Sequence, residues 1–187
     1  MTSLEFVKEM AARGADLDAP LRAATVAGLT ASGVGTTPFL AAVQTADVEL
    51  VKAFASLGAD PLARTENQAT ALMLAGRRTG TDEEVVETMR ALLTLGLDID
   101  TVDSNGETAV HMAAYRNRPE AIRFLASQGV SVQVWNQENH YGWTPLAIAT
   151  GYRRGTFRPN PEAESAVREL MMAAGIVPPE KVTPNAP

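Results

Sequence analysis

GETAVHMAA (106–114) followed by AIRFLASQGVS (121–131) carries the unit from which this chain is built. A threonine stands before an apolar pair, a small residue follows where two helices must touch, and a second apolar run stops at glycine. Three more copies of this order occur. They are GTTPFLAAV (35–43) with VELVKAFASLGAD (48–60), QATALMLAG (68–76) with VVETMRALLTLGLD (85–98), and GWTPLAIAT (142–150) with AVRELMMAAG (166–175). LEFVKEMAARGAD (4–16) repeats the second run without a first. The threonines fall at 37, 70, 108 and 144. In two copies the terminating glycine follows 21 residues later, and twice the next threonine follows 12 residues after that glycine. The base unit is therefore 33 residues, with insertions inside the second and fourth copies.

Local chemistry explains the recurrence. Thr37, Thr70, Thr108 and Thr144 are placed to cap helices, each hydroxyl accepting from a backbone N–H of the first turn. Pro38 and Pro145 follow at the first helical position, where a missing N–H costs nothing. Phe39, Ala42 and Val43 share one helical face, as do Val48, Val51, Phe54, Ala55 and Leu57. Gly58, Gly96, Gly129 and Gly175 stand where a left-handed residue ends a helix. Each unit is then a pair of short antiparallel helices, and one pair cannot bury its apolar faces alone. Runs such as 59–69 and 97–107 become projecting loops. Phe6, Val7 and Met10 belong to a helix without its pair, and Leu21, Val26 and Leu29 of the segment 21–35 are expected to fold over it as a cap.

A 33-residue period carrying T-P-L-H-x-A resembles the ankyrin repeat family, in an irregular, bacterial-type form, over residues 4 to 175. The resemblance implies an all-α solenoid of stacked helix-turn-helix units with projecting loops. It divides a single domain, 1–175, into a half repeat 1–34 and repeats at about 35–67, 68–104, 105–140 and 141–175, with a Pro-rich, unordered tail at 176–187. The family places a histidine where His111 stands, and there it serves hydrogen bonds between loops and helix starts. The other three copies carry Leu40, Met73 and Ala147 at that slot.

Composition narrows the function. The 187 residues are 45% hydrophobic and 20% charged, which fits a globular protein, and the net charge of −6 argues against nucleic acid or anionic lipid as partner. With no cysteine there is no disulfide, thiolate metal site or cysteine nucleophile. No apolar run approaches membrane-spanning length, and the charged N-terminal segment is no signal peptide. A cytoplasmic monomer without cofactors is the expectation, secreted or periplasmic if the chain is a processed fragment. Asp98, Asp100, Asp103, Asn105 and Glu107 imitate a calcium loop, but Val102 and Ala109 stand where ligands are needed. No nucleophile–base motif occurs, so no catalytic residues, no metal ligands and no enzyme activity are expected. The run Asp82, Glu83, Glu84 and Glu87 reads as a helix start, and Met171 and Met172 as core filling.

The family's usual function is binding another protein through the concave face and loop tips. Slots at the end of the first helix hold Arg77 and Arg78, Tyr115 and Arg116, then Tyr152, Arg153 and Arg154. Loop positions add Trp135, His140, Tyr141 and Trp143. Arginine and aromatic residues dominate binding hot spots, and arginines recurring in an acidic chain call for a partner with an acidic surface. The alternative is a small-molecule or enzymatic site between Trp143, Tyr152 and the loop 153–162. A third reading makes the chain the ankyrin part of a larger multidomain protein.

Overall fold

The computed structural model describes residues 2–20, 25–26, 29–30, 35–77, 79–153 and 156–182; of 25–26, 29–30, 153 and 156–157 it describes the backbone. The fold is all-α. Among the described residues there are ten helices and two antiparallel pairs of two-residue strands. They group into two compact units, Met1–Leu97 and Asp98–Pro187.

In the first unit the elements are α1 (Ser3–Ala12), the strand pair β1 (Thr25–Val26) and β2 (Leu29–Thr30), α2 (Pro38–Val43), α3 (Val48–Ser56), α4 (Ala71–Leu74) and α5 (Asp82–Thr94). The second-run helices α1, α3 and α5 pack in a row, with α2 and α4 against them. Phe39, Leu40, Val43, Val51, Leu72, Leu74, Val85 and Leu92 are sealed in its core. Leu57, read from the sequence as part of the buried face of α3, instead caps that helix and is exposed. Phe6 and Met10 of α1 are exposed. Of the expected cap, Leu21 lies outside the described residues, and Val26 pairs with Leu29 in the β1–β2 hairpin.

The second unit contains α6 (Ala109–Tyr115), α7 (Pro119–Ser127), α8 (Val132–Trp135), α9 (Pro145–Ala149), the hairpin β3 (Tyr152–Arg153) and β4 (Thr156–Phe157), and α10 (Pro161–Ala173). Helices α6 and α9 pack side by side, α7 and α10 form the layer behind, and α7 joins α10 through Arg123, whose guanidinium pairs with Glu169 at 2.8 Å. That ion pair is exposed and adds little on its own. After α10, Ile176 N–H donates to Met171 O and the Pro179 carbonyl accepts from Arg168. Residues 183–187 lie outside the described residues.

All four threonine caps form as their sequence position dictates, with Thr37, Thr70, Thr108 and Thr144 accepting from the N–H three residues on. A fifth, Thr81, caps α5 with Glu84 closing a capping box. Gly58, Gly96, Gly129 and Gly175 all adopt positive φ.

The loops between repeats share one turn. Five residues before Thr70, Thr108 and Thr144 stand Thr65, Asp103 and Asn139. Each side chain accepts from the N–H four residues on, at 3.1, 2.9 and 3.1 Å. Their carbonyls accept from the N–H of Gln68, Gly106 and Gly142, and each of those three residues is left-handed. Glycine adopts that conformation freely, whereas Gln68, at φ 62°, carries a Cβ there. Replacing exposed Gln68 with glycine relieves a left-handed penalty of about 1–2 kcal/mol against a backbone entropy cost of about 0.5–1 kcal/mol. Gln68→Gly is therefore expected to raise stability by about 0.5–1 kcal/mol in a urea melt, and a lowered midpoint would contradict this reading of the turn.

Candidate functional site

The second unit gathers most of the candidate residues that are described. Its centre is Asn139, buried in the turn before α9. The amide oxygen accepts from the backbone N–H of Tyr141 at 3.0 Å and of Trp143 at 3.1 Å. The amide nitrogen donates to Glu107 Oε1 at 2.9 Å and to the Tyr115 hydroxyl at 3.1 Å. All four groups of this side chain's hydrogen-bonding capacity are thereby engaged. Glu107 is buried too, and the Tyr115 hydroxyl bonds to its carboxylate. Burial, then the negative charge of Glu107, pushes the Tyr115 phenol well above its ordinary pKa, so it stays a neutral donor. Two successive loops and the end of α6 are thus locked together by one amide.

This lock orients the aromatic loop residues. Tyr141 and Trp143 are half-buried and stack with ring centroids 5.1 Å apart at 33°. His140 is exposed, and its backbone N–H donates to the Asn105 carbonyl of the preceding loop at 2.9 Å. Tyr115, His140, Tyr141 and Trp143 therefore stand on one constellation.

Trp135 does not join them. The sequence places it among the binding aromatics of the loops, but Val132–Trp135 winds into the short helix α8, which turns the indole into the core at 0% exposure. Arg116 ends α6 and is exposed. Tyr152 lies in β3, with its hydroxyl donating to the Val182 carbonyl at 3.4 Å. Arg77 follows Gly76 in the first unit, one turn beyond a shortened α4. Arg78 and Arg154 lie outside the described residues, as does the side chain of Arg153.

His111 is structural, as the resemblance implied. Its Nδ1 accepts from Thr108 N–H at 3.3 Å and from the Thr108 hydroxyl at 2.9 Å, which leaves Nε2–H to donate to the Gln137 carbonyl at 3.1 Å. Burial lowers its pKa to about 4, against the opposing pull of the Gln137 and Trp143 backbone. The acidic loop is likewise engaged locally. Asp98 accepts from Asp100 N–H, Asp100 from Ser131 N–H, and Asp103 from Asn105 and Glu107 N–H. Among the described residues no group of three or more His, Cys, Asp or Glu is arranged to hold a metal ion.

A cleft of about 640 Å³ opens beside this constellation, between the end of α6 and the start of α10. Tyr115 and Arg116 form one side, and the chain from Arg158 to Glu162 forms the other. The return from the hairpin sets that second side, because Arg158 N–H donates to Gly151 O and Asn160 N–H to Ala149 O, both at 2.9 Å. Sequence reasoning passed over Asn139, while Arg158 and Asn160 fall in the loop 153–162 that it set against Trp143 and Tyr152 without singling either out. A signal for the first was present: a polar residue five places before Thr70, Thr108 and Thr144 recurs as Thr65, Asp103 and Asn139.

Comparison with known proteins follows the same repeat. A family model described as ankyrin repeats (3 copies) matches residues 80–158. The chain is 39% identical over 61 residues to the potassium channel AKT2/3 of Arabidopsis thaliana, which covers 33% of this chain and 7% of the channel. It is 36% identical over 76 residues to Inversin-B of Xenopus laevis, covering 41% of this chain and 7% of that protein. To the human transient receptor potential cation channel subfamily A member 1 it is 34% identical over 112 residues, covering 60% of this chain and 9% of the channel. The chain thus spans less than a tenth of the length of these relatives. Among the described residues no helix is long and apolar enough to cross a membrane.

Proposed function

We propose, from the match of residues 80–158 to a family model of ankyrin repeats, that this chain binds a partner protein through the loop and helix-end surface of its second unit. Ankyrin repeats are generally protein-interaction modules and typically not enzymes. The observation that carries the reading is the Tyr141–Trp143 pair, half-exposed and fixed from beneath by Asn139. Rigid aromatic side chains supply contact area without losing much conformational freedom on binding, which is why they anchor interfaces. His140 and Arg116 lie exposed in the same unit, and an arginine fork pairs best with carboxylates, so the partner surface is acidic.

The test is capture of partners on the immobilised chain, followed by dissociation constants for the captured protein. Tyr141→Ala with Trp143→Ala is expected to weaken binding by at least about tenfold, because both substitutions remove contact area and leave the Asn139 backbone bonds in place. Reversing Arg13, whose side chain pairs with Glu9 on α1, should leave affinity within about twofold. Equal losses in the two variants would assign the effect to overall charge or fold and sink this surface.

A further inference from the structure

We propose that segment 176–182 is a strap seated on a peptide-binding surface of its own unit, formed by Arg168 of α10 and Tyr152 of β3, and that this surface takes an extended, proline-bearing segment of a partner once the strap is displaced. The surface involves neither Tyr141 nor Trp143 and does not rest on the reading above.

The contacts of the strap carry the inference. Beyond Gly175 the chain comes back beside α10. There the Pro179 carbonyl accepts from Arg168 Nη1 at 2.9 Å, eleven residues back. The Val182 carbonyl accepts from the Tyr152 hydroxyl at 3.4 Å, thirty residues back. Both donors are side chains of the folded unit and both acceptors are backbone carbonyls of the strap. The surface therefore reads main chain, and a segment of another protein can make the same two bonds. Proline suits such a surface. Pro178 and Pro179 bring no N–H, so the segment offers carbonyls there and leaves no amide donor unpaired. Their fixed φ also lowers the entropy lost when the segment is ordered.

The donors are held in place by the unit itself. Arg168 Nε donates to Glu164 Oε1 at 2.8 Å, one turn back on α10, which orients the guanidinium and leaves Nη1 for the carbonyl. Tyr152 is anchored by its pairing with Phe157 in the β3–β4 hairpin. The strap, by contrast, is lightly held. None of residues 176–182 is buried, and Val177 is 89% exposed. Hydrogen bonds rather than apolar burial keep it seated, so a competing segment can displace it.

The test uses the full, 15N-labelled chain and the peptide acetyl-Gly-Ile-Val-Pro-Pro-Glu-Lys-Val-Gly-amide, with a control peptide in which alanine replaces both prolines. In the parent, the backbone of 180–182 should relax on the nanosecond scale as α10 does. In Pro178→Gly with Pro179→Gly it should relax as free chain, because glycine raises the entropy that seating must overcome. That variant is expected to bind the peptide with saturable shifts of the Tyr152 backbone and Arg168 Nε–H. Its affinity should exceed the parent's by at least about tenfold, since in the parent the tethered strap competes at high effective concentration. The alanine peptide should bind at least about threefold more weakly. In the released variant, Tyr152→Phe removes one hydroxyl, keeps the ring, and should weaken binding roughly fivefold. Four results would each overturn the proposal: a parent strap that relaxes as free chain, equal affinity in parent and released variant, no saturable shift in the released variant, or unchanged affinity in Tyr152→Phe. Equal binding of the alanine peptide would overturn the proline-bearing partner.

Discussion

Leu125→Ala is expected to cost about 2–5 kcal/mol of folding stability. Leu125 lies on α7 at 0% exposure, in the helix that packs against both α6 and α10. Truncation removes three carbons from a site closed by neighbouring helices, so the lost transfer energy is joined by the cost of the cavity left behind. Ile122 on the same helix and Val167 on α10 are also fully buried, and a close-packed interior relaxes only partly to fill such a gap. The urea midpoint should fall with little change in slope. A Leu125→Ala protein that melts like the parent would mean that the second-helix layer does not carry the stability of the second unit.

The second large effect is acid destabilisation through His111. The imidazole is at 0% exposure and folded as the neutral form, its pKa lowered to about 4 from 6.5 by burial. Between those values the unfolded chain takes up a proton that the folded chain refuses. Stability from this group is therefore fully present above about pH 6.5 and is lost as pH falls toward 4, by about 3 kcal/mol in all. Between pH 7.5 and pH 5 the expected loss is about 2 kcal/mol, before ordinary carboxylates begin to titrate. Urea melts at these two pH values measure it. In His111→Leu the loss over this interval should largely disappear, although the bonds to Thr108 and Gln137 are gone and the starting stability is lower. A parent profile flat from pH 7.5 to 5 would contradict a neutral, sealed histidine.

The reach of sequence reasoning follows the separation of the interacting groups. Each threonine cap bonds three residues on, and each terminal glycine answers to its own φ, so both are written in short segments. The 33-residue spacing then requires the units to stack, because an isolated helix pair leaves an apolar face in water. His111 was legible for the same reason: its main partner, Thr108, is in the same turn.

What local pattern could not decide is where loop side chains go. Trp135 and Trp143 both read as loop aromatics, yet one ends α8 and is sealed in the core, and the other is half-buried beside Tyr141. The difference lies in whether neighbouring helices leave a space of indole size, and that is set by elements distant in sequence. The bonds from Asn139 span 32 residues to Glu107 and 24 to Tyr115. The cleft arises where the hairpin return is bonded back to α9, which brings Arg158 and Asn160 opposite Arg116. The repeated helix pair can be read from the residues alone, since caps, left-handed residues and amphipathic faces act over one or two turns. Which aromatics are buried and which polar groups meet depends on packing between segments tens of residues apart, and so emerges only in the folded chain.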